Sequence, residues 1–239
     1  MKLDILAIGV HPDDVELSCS GTLLRHIAMG KTVGLVDLTK GELGTRGSAV
    51  LRMEEAEDAR RIMGALVREN LEMADGFFQH TKENVLKISR VIRQYQPEII
   101  LANAISDRHP DHGRAAKLTA DACFYSGLAK VEQKDALGRD LAPWRPKAVY
   151  HYIQDRNLKP DFVVDISDFI EKKFECILAF KSQFSIGNPN GPETPISGKD
   201  FMDFIRAKNR SYARDIRAEY AEAFTINRSI GVNNLFDLI

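Results

Sequence analysis

Apolar positions along the chain switch between two patterns. Residues 3–10, LDILAIGV, and 31–38, KTVGLVDL, are short apolar runs of strand length, the mark of strands buried on both faces. Between and after them the spacing becomes helical. GTLLRHIAMG, residues 21–30, predicts a helix that Gly30 closes. In AVLRMEEAEDARRIM, residues 49–63, Val50, Met53, Ala56, Ile62 and Met63 fall near one face, with Ser48 placed to cap the start and Gly64 the end. The alternation continues through a strand around 66–73, a helix over 83–95, the strand EIILA at 98–102, and a helix over 113–126 closed by Gly127. Alternating strands and helices predict an α/β fold with a mostly parallel central sheet between two helical layers, a Rossmann-like three-layer arrangement. Residues 147–153 and 161–166 read as later strands, and 167–184 and 199–219 as long helices. The segment 187–198, GNPNGPETPISG, holds too much glycine and proline for a helix or central strand. It reads as a loop, a candidate cover for a site.

Composition narrows this picture. At 239 residues, 44% of them hydrophobic, the chain buries a sizeable core, and one domain over 1–239 is expected, with the helices from about 167 packed on it. A net charge of −1 gives no bulk reason to expect nucleic acid or an anionic membrane as partner. Cys19, Cys123 and Cys176 are odd in number and far apart, which points to buried thiols in a reducing compartment. With no signal-peptide pattern and no membrane-length apolar run, the expected location is cytoplasmic.

Two polar clusters carry the chemistry. His11, Pro12, Asp13 and Asp14 follow the first strand directly, and SDRHPDHG, with Arg108, His109, Asp111 and His112, follows EIILA. Ligands of an open parallel sheet bind beyond the carboxyl ends of its strands, where both clusters fall. Adjacent carboxylates repel unless a cation lies nearby. Two histidines and one aspartate make a three-ligand zinc site with an open fourth position, and the second aspartate of the pair is then free to act as a base. Spacing alone does not say which aspartate or which histidine takes which role. His26, His80 and His151 lie in a helix, a turn and a strand and read as structural. A nucleotide-binding module is disfavoured, because its G-x-G-x-x-G turn is replaced here by GVHPDD. A phosphoesterase usually needs two metals and more carboxylate ligands.

HPDD and HPDH resemble the paired signatures of the LmbE-like, or PIG-L, zinc-dependent N-deacetylases. DLTKGELGTRGS, ENLEMADGFF, LANAISDRHPDHGRAAKL, RPKAVYHYIQDR and YAEAF further resemble a bacillithiol-biosynthesis branch that deacetylates N-acetylglucosaminyl malate. The resemblance implies one Zn2+ per chain on His11, Asp14 and His112, and Asp13 as general base. It makes His109 the residue that stabilises the oxyanion or protonates the leaving amine, oriented by Asp111. It places Arg52 and Arg108 near the sugar or its aglycone, with Glu42, Arg46, Ser48 and Arg156 as weaker substrate contacts. The implied partner is a small N-acetylated glycoside, with chito-oligosaccharides or another glycoconjugate as alternatives, and the implied assembly is a homo-oligomer.

Overall fold

A computed structural model of the chain describes residues 1–184 and 192–237. Seven strands, β1 Ile5–Gly9, β2 Val33–Thr39, β3 Val67–Met73, β4 Ile99–Ala102, β5 Ala148–Tyr152, β6 Phe162–Asp165 and β7 Ala221–Thr225, form one sheet in the order β3-β2-β1-β4-β5-β7-β6. All pairings from β3 to β5 are parallel, and β7 runs antiparallel to both β5 and β6. The expected mostly parallel α/β fold is the observed one.

Side-chain alternation explains the layers. Along β1, Leu6 and Ile8 join Val36 and Leu38 of β2 beneath α3 (Lys82–Tyr95) and α4 (Pro110–Ser126). Ile5 and Ala7 face the other way, with Leu35, onto Val15, Cys19 and Leu23 of α1 (Asp14–Ala28). Each such fully buried Leu or Ile contributes about 1.5–3 kcal/mol. A third apolar cluster joins α2 (Ala49–Met63) to α5 (Ile170–Leu178), α6 (Lys181–Phe184) and α7 (Lys199–Ala213) through Ala56, Ala59, Phe174, Phe180, Phe184 and Ile205. The three cysteines are free and buried, and among the described residues no helix is long and apolar enough to cross a membrane.

The sequence-based boundaries need four corrections. Helix α1 starts at Asp14, seven residues earlier than read, with Asp14 and Glu16 in the favourable acidic first turn. Helix α4 starts at Pro110, whose missing N–H costs nothing at a first helical position. The single helix over 167–184 is instead a 3-10 turn, α5 and α6, broken where Phe180 turns fully into the core. The helix over 199–219 stops at Ala213, and Arg217, left-handed at φ 57°, turns the chain back into the unanticipated β7. Of the loop 187–198, residues 187–191 lie outside the described residues, and 192–198 lead into α7.

The topology positions the site. The chain leaves β1 for α1 on one face of the sheet and leaves the adjacent β4 for α4 on the other. Connections that part in this way open a crevice at the strands' carboxyl ends.

Candidate metal centre

His11 and Asp13 lie in the short turn between β1 and α1, and Asp14 is the first residue of α1. Asp13 adopts φ 129°, ψ −21°, a conformation costly for a residue with a Cβ. At this helix N-terminus its carboxylate caps no backbone N–H. It is held instead by Arg52 Nη2 at 2.5 Å, while the same nitrogen donates to the Pro12 carbonyl at 3.2 Å. Gly41 makes room for that guanidinium, since at φ 64° a Cβ there would lie 2.6 Å from Arg52 Nη1.

The second cluster is set by α4. His109 is the residue before the helix, and Asp111 and His112 occupy its first turn. The rings of His11, His109 and His112 approach one another with centroids 4.7, 5.2 and 5.7 Å apart. Among the described residues, His11–His109–His112 and His11–Asp75–Asp111 each bring three candidate ligand atoms together, and Asp14 adds a carboxylate that meets His11 and His112 through its two different oxygens.

Hydrogen bonds distinguish the histidines. His11 Nε2 meets Asp75 Oδ1 at 3.1 Å, and His112 Nδ1 meets Asp107 Oδ2 at 2.6 Å. The other nitrogen of each faces Asp14, with His112 Nε2 3.2 Å from Oδ1 and His11 Nδ1 3.7 Å from Oδ2. An imidazole with a carboxylate on its outer nitrogen and an open inner one is the usual arrangement of a metal-binding histidine. His109 is different: its Nδ1 accepts the Asp111 backbone N–H at 3.3 Å. In the neutral ring this leaves the proton on Nε2 as a donor.

Asp14 is oriented from all sides. Its Oδ2 accepts from the backbone N–H of Val10 and His11 and from Asn103 Nδ2, and its Oδ1 accepts from Gln154 Nε2, all within 2.9 to 3.0 Å. Burial opposes its charge, yet His112 and His11 and these donors hold its carboxyl far below the usual range. Asp13 behaves oppositely. Burial, only partly offset by Arg52, pushes it up to about 6. Burial also works against charge on His11 and His112, but Asp111, Asp75 and Asp14 raise His11 to about 10, and Asp14 and Asp107 raise His112 to about 9. His109 is lowered by its burial and by the two neighbouring imidazoles. An anionic cage that protonates two of its histidines is one that a cation fits. Two imidazole nitrogens and a carboxylate oxygen are the donor set that suits zinc.

Arg52 and Arg108 both line a cavity of about 340 Å³ that opens from this centre. Arg52 is buried on Asp13, and Arg108 is half exposed and paired with Asp155. The other four residues read as substrate contacts do not line the cavity. Glu42 accepts the Asp75 N–H, Ser48 caps α2, the Arg46 carbonyl accepts from Gln183, and the Arg156 N–H donates to Asp107. They shape the loops around the site. The Asp111 carboxylate does not reach His109 as expected. It accepts from the Gly76 N–H and Arg114 and faces His11 at 3.7 Å. Asp75, Asp107, Asn103 and Gln154 were not singled out in the sequence. Asp107 had a readable signal, five residues before His112 in the same polar cluster.

The chain matches the model of the PIG-L family, described as GlcNAc-PI de-N-acetylase, over residues 6–123. It is 31% identical over 190 residues to a diacetylchitobiose deacetylase of Thermococcus kodakarensis, covering 75% of this chain and 70% of that protein. The crystal structure of a conserved protein of Thermus thermophilus superposes with a TM-score of 0.85 at 33% identity, over 97% of this chain and 98% of that one. An N,N'-diacetylchitobiose deacetylase from Pyrococcus horikoshii, bound to an inhibitor, superposes with a TM-score of 0.80 at 26% identity, over 98% and 88% of the two chains.

Proposed function

We propose that this chain, which belongs to the PIG-L family of de-N-acetylases, hydrolyses the acetamide of an N-acetylglucosaminyl conjugate, releasing acetate and a free amine. The observation that carries the reading is Asp14 set between the inner nitrogens of His11 and His112, with Asp13 beside it on the cavity wall. In this reading His11, Asp14 and His112 hold one zinc ion. When bound, the metal supplies a Lewis acid that polarises the acetamide carbonyl and makes water more acidic.

The remaining steps fall to the chain's own residues. Asp13, held by Arg52 through Oδ2, accepts the proton of the attacking water on Oδ1. His109, kept neutral by its surroundings, donates from Nε2 to the developing oxyanion. Asp13 then returns its proton to the departing nitrogen. This sharpens the sequence reading of His109 toward the donor role, since a lowered pKa disfavours it as an acid. Within the substrate class we favour N-acetylglucosaminyl malate. The diacetylchitobiose deacetylases among the relatives support a neutral chito-oligosaccharide as the second reading.

The test combines metal analysis with acetate release from methyl N-acetylglucosaminide, N-acetylglucosaminyl malate and diacetylchitobiose. About one zinc per chain and acetate from at least one substrate are expected, with both metal and activity lost in His112→Ala. Full metal occupancy in that variant would remove His112 from the ligand set. Absence of acetate from every substrate would overturn the deacetylase reading.

A further inference from the structure

Asp14 is the anionic member of the proposed ligand set, and its two oxygens are not equivalent. Oδ2 accepts three N–H groups, from the backbone of Val10 and His11 and from Asn103 Nδ2, at 2.9 to 3.0 Å. Three donors leave no lone pair on that oxygen to spare. Oδ1 accepts from Gln154 Nε2 at 3.0 Å and faces His112 Nε2 at 3.2 Å. The oxygen with room for a cation is therefore Oδ1, and Gln154 holds its other side.

The Gln154 amide has a single workable orientation. Its Oε1 accepts from Asn103 Nδ2 at 3.0 Å and from the Ala104 N–H at 3.1 Å. With the amide reversed, its NH2 would meet two donors and its carbonyl would meet a carboxylate, so Nε2 must point at Asp14. The same nitrogen stands 3.4 Å from His112 Nε2, at the junction of two candidate ligand atoms. The backbone that carries it is pinned on both sides. Ile153 N–H donates to the Ala223 carbonyl at 2.9 Å, Lys208 Nζ donates to the Asp155 carbonyl at 3.2 Å, and Arg156 N–H donates to Asp107 Oδ1 at 2.7 Å. Asp107 holds His112 Nδ1 through its other oxygen. The segment after β5 thus fixes the carboxylate directly and one histidine at one remove.

We infer that Gln154 is a positioning residue of the metal centre, whose Nε2 holds Asp14 so that the carboxylate serves as a ligand through Oδ1 alone. The inference rests on the proposed zinc ligand set and is independent of which glycoside is hydrolysed. A donor on a ligating oxygen has two effects. It stops the carboxylate from turning to offer both oxygens, which keeps the fourth position open, and it draws negative charge away from the ligand. Asn103 does the complementary work on Oδ2, and Gln154 Oε1 ties the two amides together.

The test follows the metal as well as the activity. Zinc-loaded wild type and Gln154→Met, which keeps the chain length and removes the donor, are mixed with excess chromogenic chelator. Zinc release should be about 10- to 100-fold faster in the variant, the usual cost of losing a hydrogen bond to a ligand. With cobalt in place of zinc, the visible absorption of the wild type should have the intensity of a four-coordinate site, and that of the variant should weaken as Asp14 offers both oxygens. On a hydrolysed N-acetylglucosaminide, kcat should fall while KM holds. Lys208→Met is the control: it frees the Asp155 carbonyl and loosens the same segment but leaves the Gln154 amide in place, so zinc should leave it at the wild-type rate. If Gln154→Met does not fold, Gln154→Asn, one methylene short of Asp14, carries the same expectations. Wild-type release with an unchanged cobalt spectrum would overturn the positioning role, as would equally fast release from Lys208→Met. Metal bound as expected with no acetate from any substrate would overturn the deacetylase reading and leave the role of Gln154 standing. A wild-type chain that binds no zinc would overturn both.

Discussion

Asp13 shows how much of the proposed chemistry would rest on one strained residue. Its positive φ takes the carboxylate away from the capping position and delivers it to Arg52. Strain of this kind persists only where the surroundings over-determine it. Asp13→Asn keeps the side-chain shape and should retain metal and melting temperature while kcat falls about 10²-fold or more. Arg52 acts on this residue as a positioning and tuning group. Its positive charge lowers the Asp13 pKa against burial, so Arg52→Met should move the acid limb of the kcat/KM profile to higher pH, with activity at neutral pH lost first and regained as pH rises. Arg52→Lys should restore part of the profile. An unmoved limb would mean that Arg52 serves the fold or the substrate instead. His11, Asp13, Asp14, His109 and His112 were legible because each cluster is contiguous and lies in the connection that leaves a strand for the next helix. Asp75 and Gln154 were not, because they arrive on loops after β3 and β5, and only the sheet order brings those loops to β1 and β4.

Among the secondary elements, local signals were read well where capping chemistry marked the ends. Ser48 accepts the Leu51 N–H and Gly64 adopts φ 85°, so α2 spans the residues between them, as its sequence predicts. β7 escaped because AEAFT is short and does not alternate in hydropathy, and what fixes it is tertiary. Glu222 of β7 accepts from the backbone N–H of Gly21 and Thr22 in α1 at 3.0 and 2.7 Å, and from Lys173 of α5 at 2.6 Å. Lys173 also donates to the Leu17 carbonyl of α1 at 2.8 Å, and both charged side chains are fully buried. One ion pair therefore clamps β7 and α5 to the helix that begins with Asp14. Removing one partner of such a pair strands the other charge in the core, at a cost of about 3–5 kcal/mol. Lys173→Met should lower the unfolding free energy by that order, seen as a lower denaturant midpoint at an unchanged slope. Lys173→Met combined with Glu222→Leu should recover part of the loss. A single variant as stable as the parent would show that water reaches Glu222 and that the clamp is not closed.

Across the whole molecule, the fold gathers charge at one point. Five carboxylates, Asp13, Asp14, Asp75, Asp107 and Asp111, converge on His11 and His112 from the turns after β1, β3 and β4 and from the start of α4. In the protein stripped of metal by a chelator, the two imidazoles answer that charge by holding protons, with pKa values of about 10 and about 9 against 6.5 in the unfolded chain. A pKa raised by folding contributes stability that is fully present below pH 6.5 and lost as pH climbs through the folded values. The chelated protein should therefore become progressively less stable from near neutral pH to about pH 10. Metal ligation requires neutral imidazoles, so metal uptake near neutral pH displaces these protons. Titrating zinc into the chelated protein in buffers of different ionisation enthalpy should reveal release of close to two protons per metal. The metal-loaded protein, with the cage neutralised by the ion instead, should hold its melting temperature over the same alkaline range. Uptake without proton release, or parallel alkaline destabilisation of both forms, would show that His11 and His112 are not the groups the metal replaces protons on.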